Sequence, residues 1–245
     1  MSDTRFVVFS AGFNSEKWVR KNILSVKKQK YKNYVHVVVD DATTDGTKRY
    51  LELLKHGKLE VHRNEKNLRW AHNAIKYIDL HTKSDEDVIV VVDLDDWLAG
   101  PYVLQTLHEI YTKNKCWMTC GGLANFKGNK IAGVRNINLS LKNKRIRDQG
   151  CFTHLKTFKS FLWNNLDKND LKGPDGRYVK CTYDRAIMYP MAEMTPVDKI
   201  QIVNELFYIY NQSNPLAVCN IENKNQKTNK KFFKKKKSYE KLYRK

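Results

Sequence analysis

The stretch "VIVVVDLDDWL", residues 88–98, sets three carboxylates, Asp93, Asp95 and Asp96, directly behind five aliphatic residues. Acids this close repel one another unless a cation compensates them. Hard divalent ions such as Mg²⁺ and Mn²⁺ prefer oxygen ligands and are held by one or two carboxylates plus substrate phosphates. Asp-x-Asp at a strand end suits that, with one acid on a metal and the other on a sugar hydroxyl. The substrate so implied is a nucleoside diphosphate attached to a further group. The same acids could instead solvate the strand end, and Asp96 could cap a helix beginning in "WLAGPYVLQTL".

The acids have to be positioned by the elements around them. Residues 5–11 are apolar and bounded by turn formers, which predicts a first strand, and "KWVRKNILSVKKQ" has helical spacing with Ser15 as its N-cap. Val35–Val39 predicts a second strand stopping at Asp40 and Asp41, followed by a helix ending at Gly57. "KLEVHRN" reads as a third strand, "LRWAHNAIKYIDLHT" as a helix, and the aliphatic run before Asp93 as a fourth strand buried on both faces. Alternating strands and helices predict a doubly wound parallel sheet, which binds ligands at the carboxyl ends of its strands. That rule gathers Ala11 to Asn14, Asp40 with Asp41, and Asp93 to Asp96 on one rim. Beyond residue 100, "PYVLQTLHEIYTKN", "LKTFKSFLWNNL" and "RAIMYPMAEM" read as helices, and "CWMTCGGLANFKGNKIAG" as a strand and a glycine-bearing turn. This half is expected to extend the sheet and build a second wall.

The opening segment "FSAGFNSEKWVRKNILSVKKQKYKNYVHVVVDDATTDGT" resembles the start of the GT-A fold glycosyltransferases of family 2. Their pattern is a strand, a loop with an aromatic residue and Asn, a helix ending Ser-Val-x-x-Gln, and then a strand running into Asp-Asp and Thr-Asp-Gly-Thr. With "NEKNLRWAHNA" and "VVVDLDDWL", the likeness covers roughly the first 100 residues. It implies an α/β, Rossmann-like, doubly wound and mostly parallel sheet with helices on both faces, and a metal-dependent, inverting, hexosyltransferase-like activity. The donor would be a UDP-sugar, the cofactor Mn²⁺ or Mg²⁺, and the acceptor a hydroxyl on a glycan, lipid or protein.

The resemblance also implies roles. Ala11 and Phe13 would lie by the nucleobase, and Asp41 or its neighbour Asp40 would accept from the uracil ring. Arg69 would meet the base or diphosphate, and Asp93 and Asp95 ribose and metal, with Asp96 sharing the metal. "CTYDRAIMYPMAEM" resembles the segment that carries the catalytic base, with Tyr183 where Glu is usual and Asp184 in the base position; Glu193 is expected to face solvent or cap a neighbour. "GCFTHLKTFKSFLW" places His154 near the diphosphate or the metal, although an isolated His is more often structural. Trp163, Phe158 and Phe161 are expected in the core, and Trp97 either there or stacked on a sugar.

Composition bounds these readings. A chain of 245 residues, 41% hydrophobic and 29% charged, predicts one soluble globular domain over residues 1–222, with a donor half to residue 100 and an acceptor half beyond it. No stretch approaches a membrane span and no secretion signal precedes "FVVFSA", so the expected location is cytoplasmic. Five cysteines without a CxxC pair suit a reducing compartment. The net charge of +19 suggests nucleic acid, but about +10 of it lies in residues 224–245, which hold 11 Lys and Arg against Glu240. Residues 223–245 are expected to be a flexible basic tail, either solvated or drawn to an anionic membrane through lysines interleaved with Phe232, Phe233, Tyr239 and Tyr243. A nucleic-acid-binding protein and a nucleotidyltransferase remain as alternatives. The first lacks a recognisable binding motif, so no specific nucleic acid is expected, and the second lacks a basic Gly-rich loop near the start.

Overall fold

The computed structural model describes residues 3–135, 145–148, 152–217 and 223–244. The donor half runs β1 (Phe6–Gly12), α1 (Glu16–Lys27), β2 (Tyr34–Asp40), α2 (Thr47–Leu53), β3 (Leu59–Arg63), α3 (Arg69–His81) and β4 (Val88–Val91). There follow β5 (Trp97–Leu98), α4 (Val103–Asn114), β6 (Met118–Lys127), β7 (Lys130–Arg135), β8 (Lys156–Lys159), α5 (Ser160–Asn164), α6 (Tyr183–Met194), β9 (Ile200–Asn211) and α7 (Asn223–Lys235). The sheet order is β3-β2-β1-β4-β8-β6-β9-β5, with β7 paired to β6. Strands β3, β2, β1 and β4 are mutually parallel; β8 runs antiparallel between β4 and β6.

Alternation along the strands explains why helices cover both faces. In β1, Val7 and Phe9 point into a core shared with α3, α5 and α6, while Phe6 and Val8 point into one shared with α1 and α4. Val88 to Val91 are fully buried for the same reason. Each such side chain contributes about 1.5–3 kcal/mol on burial. Phe158, Phe161 and Trp163 are core residues, as expected. Trp97 packs edge-on against Phe126 under the ammonium of Lys21.

Several local expectations are corrected. Ser15 stands at the start of α1, but its side chain makes no capping bond. Asp45 caps that helix from the next loop, accepting from the Glu16 N–H at 3.1 Å. Gly46 beside it leaves room for the Glu16 side chain, whose carboxyl end would stand 2.2 Å from a Cβ there and would have to swing aside. Helix α2 stops at Leu53, short of Gly57. "LKTFKSFLWNNL" divides into β8 and the short α5, because Lys156–Lys159 pairs with both β4 and β6. Strand β9 had no counterpart in the sequence reading.

The motif Ser25-Val26-x-x-Gln29 proves to be a staple. Gln29 is buried; its amide donates to the carbonyls of Ser25 (3.0 Å) and Gly100 (2.6 Å), and it accepts from the Leu104 N–H at 3.0 Å. Ser25 Oγ accepts from the Leu98 N–H. The end of α1 thereby fixes the segment that follows the acids.

His36 in β2 is fully buried, with Nε2 3.1 Å from Ser10 Oγ, and burial pushes its pKa down to about 3. Between about pH 6.5 and 3 the unfolded chain therefore binds a proton that the folded chain refuses, so stability falls as pH is lowered through that window. Replacement by Leu should flatten the decline in melting temperature between pH 6.5 and 4 relative to wild type; parallel pH profiles would exclude this role.

Candidate active site

A cavity of about 540 Å³ opens at the carboxyl ends of β1, β2 and β4. Ala11 lines it from β1 and Phe13, 39% exposed, from the following loop; Asp41 lines it after β2 and Arg69 at the start of α3. Asp93, Asp95 and Asp96 enter after β4, His154 just before β8, and Asp184 from the first turn of α6. Gly12 permits this convergence, since a Cβ there would lie 2.5 Å from that of Leu94.

Asp40 is the exception. Its buried carboxylate accepts from the Thr43 N–H at 2.9 Å and pairs with Arg63 at 2.7 Å, so it braces the loop after β2 and does not line the cavity. Asp41 shapes the rim: it accepts from the Asn64 amide and from the N–H groups of Leu68 and Arg69, each at 2.8 Å. Arg69 is held there at a left-handed φ of 69°.

The acid loop is gripped from three sides. The Asn22 amide of α1 donates to the carbonyls of Asp93 (3.1 Å) and Asp96 (2.9 Å). Asp96, 1% exposed, accepts from Tyr208 Oη at 2.6 Å and the Asn211 N–H at 2.7 Å, while Asp95 accepts from the Asn214 amide at 2.7 Å. Asp96 is thus a buried support more than an open ligand. Burial raises the pKa of all three acids. Asp93 reaches about 6, through burial against the opposing pull of Lys156 and with a further push from Asp95.

Tyr183 supplies the third grip. Its hydroxyl donates to Asp93 Oδ1 and Oδ2 at 2.6 and 2.5 Å, and its ring lies on Trp70 with centroids 4.0 Å apart at 10°. Tyr183, standing where the sequence resemblance implies Glu, therefore places a neutral donor on the acids, directly before Asp184. His154 stacks on Tyr208 at 4.6 Å, and its Nε2 is 2.7 Å from Lys156 Nζ and 3.8 Å from Asp93 Oδ2. Burial and Lys156 hold its pKa well below the usual range. A ring nitrogen that accepts from an ammonium is a poor metal ligand, so the geometry counts against His154 in that role.

Among the described residues no group of three or more His, Cys, Asp or Glu side chains is arranged to hold a metal. The pair Asp93 and Asp95 fits an ion shared with substrate phosphates: both line the cavity, and burial penalises both as bare anions.

The segment expected to be a flexible tail forms part of this site. Helix α7 buries Phe233 in the core, and Asn229 donates to the Cys181 carbonyl next to the start of α6. Gln226 and Lys230 line the cavity. Arg147, 1% exposed, pairs with both oxygens of Glu193 at 2.8 Å and donates to the Phe233 carbonyl, so Glu193 anchors α7 instead of facing solvent. Tyr239 donates to Asp170 at 2.6 Å and Leu242 packs against the core, leaving Tyr243, 92% exposed, as the outward aromatic. Cys116 and Cys120 are buried thiols whose pKa burial pushes up to about 12. Cys151 and Cys219 lie outside the described residues. No helix among the described residues is long and apolar enough to cross a membrane.

Sequence reasoning missed Asn22, Lys156, Tyr208, Asn211 and Asn214. The only available signal was the polar and aromatic run "YIYNQSN" at 208–214, which carries no spacing that names a partner.

Comparison with known proteins places this architecture. Among solved structures, S. aureus TarS 1-349 in complex with UDP-GlcNAc superposes with a TM-score of 0.65 at 19% identity, over 86% of this chain and 59% of that one. S. aureus TarS itself gives 0.64 at 20% identity, over 86% and 37%. The mannosyltransferase PcManGT from Pyrobaculum calidifontis, in complex with GDP-Man and Mn²⁺, gives 0.55 at 16% identity, over 83% and 58%. The chain spans less than two thirds of each of these, and the likeness is one of fold, the GT-A fold. A search of curated proteins finds no match. Residues 8–169 match the profile of Glycosyl transferase family 2. With more than half of its length inside that profile, the chain belongs to glycosyl transferase family 2.

Proposed function

We propose that the protein transfers a sugar from a UDP-sugar to a hydroxyl on a glycan, lipid or protein acceptor, with inversion and with the aid of Mn²⁺ or Mg²⁺. The observation that carries the proposal is one cavity bounded on one side by Asp93 and Asp95 and on another by Asp184, with an exposed aromatic ring, Phe13, at its edge. Ala11 and Phe13 flank the uracil, and Asp41 accepts from it while holding Arg69 toward the diphosphate. Asp93 meets the ribose and Asp95 the metal. A bound divalent ion would stabilise the charge of the leaving diphosphate. Asp184 takes the proton of the acceptor hydroxyl as it attacks the anomeric carbon from the face opposite the diphosphate.

In this reading residues 1–100 carry most of the donor site, and residues 101–222 present the acceptor and the base. Helix α7 closes the acceptor side, where Lys180 and Lys230 join the lining. Unpaired buried thiols and a nucleotide-sugar donor suit a cytoplasmic site of action. Contact with an anionic membrane would then rest on the exposed lysines of α7, because Phe232, Phe233 and Tyr239 are turned inward. The same packing weakens a nucleic-acid-binding alternative built on a free basic tail.

The test is calorimetric titration of UDP and GDP into the full chain, with Mn²⁺ and with EDTA. Metal-enhanced micromolar binding of UDP is expected. Asp95→Asn should reduce that enhancement at least as much as loss of an outer-shell partner does, about 10–100-fold, without lowering the melting temperature, since it removes a charge that burial disfavours. Tighter binding of GDP would reassign the donor, and no nucleotide binding at all would reject the proposal.

A further inference from the structure

Lys156 is charged, 1% exposed and part of the cavity lining. It opens β8 opposite Val91, the last residue of β4, and so stands beside the origin of the acid loop. A buried ammonium is costly unless it is paired. Yet among the described residues no carboxylate lies within 4.0 Å of it; its hydrogen bond goes to His154 Nε2 at 2.7 Å. An ammonium has three protons to donate, and one neutral imidazole does not compensate its charge. The face of Tyr183 lies further off, with Nζ 5.7 Å from the ring centroid, and Asp93 feels the ammonium without pairing with it.

His154 bridges Lys156 and Asp93, which make no direct ion pair within 4.0 Å. The imidazole Nε2 touches both, 2.7 Å from the ammonium and 3.8 Å from the carboxylate, and the ring is fixed by its stack on Tyr208. A direct ion pair would cancel both charges. Attracted at a distance but not in contact, each remains available to a ligand that carries both signs of need: an anion for Lys156 and a cation or hydroxyl for Asp93.

We propose that Lys156 is a fixed cation of the donor site, meeting the diphosphate of the sugar nucleotide beside Asp93 and Asp95, with His154 as the positioning residue that holds it there. The protein itself then supplies part of the positive charge that binds the donor and receives the leaving group, independently of any metal. The inference rests on the nucleotide-sugar reading of the cavity.

UDP and uridine, titrated calorimetrically into the full chain in EDTA, separate the diphosphate from the nucleoside. Wild type should bind UDP at least about tenfold more tightly than uridine, the effect expected of a charged hydrogen bond. Lys156→Met should cut that preference at least about fivefold while leaving uridine affinity within about twofold, the remainder resting on Arg69, and Lys156→Arg should keep more of it. Lys156→Gln serves in place of the Met variant if the latter does not fold. Equal affinity for UDP and uridine in wild type, a preserved preference in the Met or Gln variant, or equal losses for both ligands would overturn the proposal. UDP binding seen only with Mn²⁺ would also overturn it but leave the donor-site reading standing; no binding with or without metal would remove both.

Discussion

Asp184→Asn is expected to lower sugar transfer by about 10²–10⁴-fold, the usual contribution of a positioned general base, while UDP affinity stays within about twofold. The side chain enters the cavity from the first turn of α6, directly after the residue whose hydroxyl grips Asp93. Asparagine keeps its volume and polarity, so the Tyr183 contact and the helix start should survive. What is lost is the oxygen that takes the acceptor proton. Comparing UDP release in the presence of acceptor with UDP titration of the same preparation checks both halves of this expectation. Full transfer by the variant would place the base elsewhere, and Glu193 would remain a poor substitute because Arg147 occupies both of its oxygens.

Removal of residues 223–244 should have the second large effect, on stability and turnover together. Helix α7 contributes Phe233 to the core, where loss of an aromatic side chain typically costs about 3–5 kcal/mol. Its removal also takes the Phe233 carbonyl from Arg147 and opens the buried Arg147–Glu193 pair to water. Against a typical domain stability of about 5–15 kcal/mol this is a large fraction. The truncated protein should melt at markedly lower temperature and lose transfer. Phe233→Ala, which keeps the lysines, should reproduce much of the thermal loss. A truncated protein with unchanged melting and activity would mean that α7 is an appendage. From composition alone the opposite result was expected, because lysine density hides the inward residues, among them Asn229, Phe232, Phe233 and Tyr239.

That contrast shows where the sequence was readable. Strands β1, β2 and β4 were legible because strands buried on both faces demand nearly uninterrupted aliphatic runs, the edge strand β3 showed only as a short apolar-polar alternation, and the rim followed from strand polarity alone. Nearly every proposed site residue does line one cavity. The exception, Asp40, is adjacent to Asp41 and chemically identical to it, and only the neighbouring Arg63 tells them apart. Long-range partners were not legible for a related reason. Tyr208, Asn211 and Asn214 act on acids more than 110 positions earlier, and no local period records such a contact. Strand β9 escaped because its residues alternate poorly: Asn204, Glu205 and Leu206 are all exposed or nearly so where its pairing with β6 shifts register.

The distance between the acids and their partners also matters while the chain is being made. Synthesis proceeds from one end, and N-terminal parts form first. Asp93, Asp95 and Asp96 leave the ribosome more than a hundred residues ahead of Tyr208 and Asn214, and further still ahead of Gln226 and Lys230. Until those arrive, the carboxylates of Asp95 and Asp96 have neither their hydrogen-bond donors nor their cover, and β6 has no parallel neighbour in β9. A nascent chain at that stage carries the recognisable acids without the enclosure that sets their spacing. The part of the site most easily read in the sequence is therefore the last to become a site.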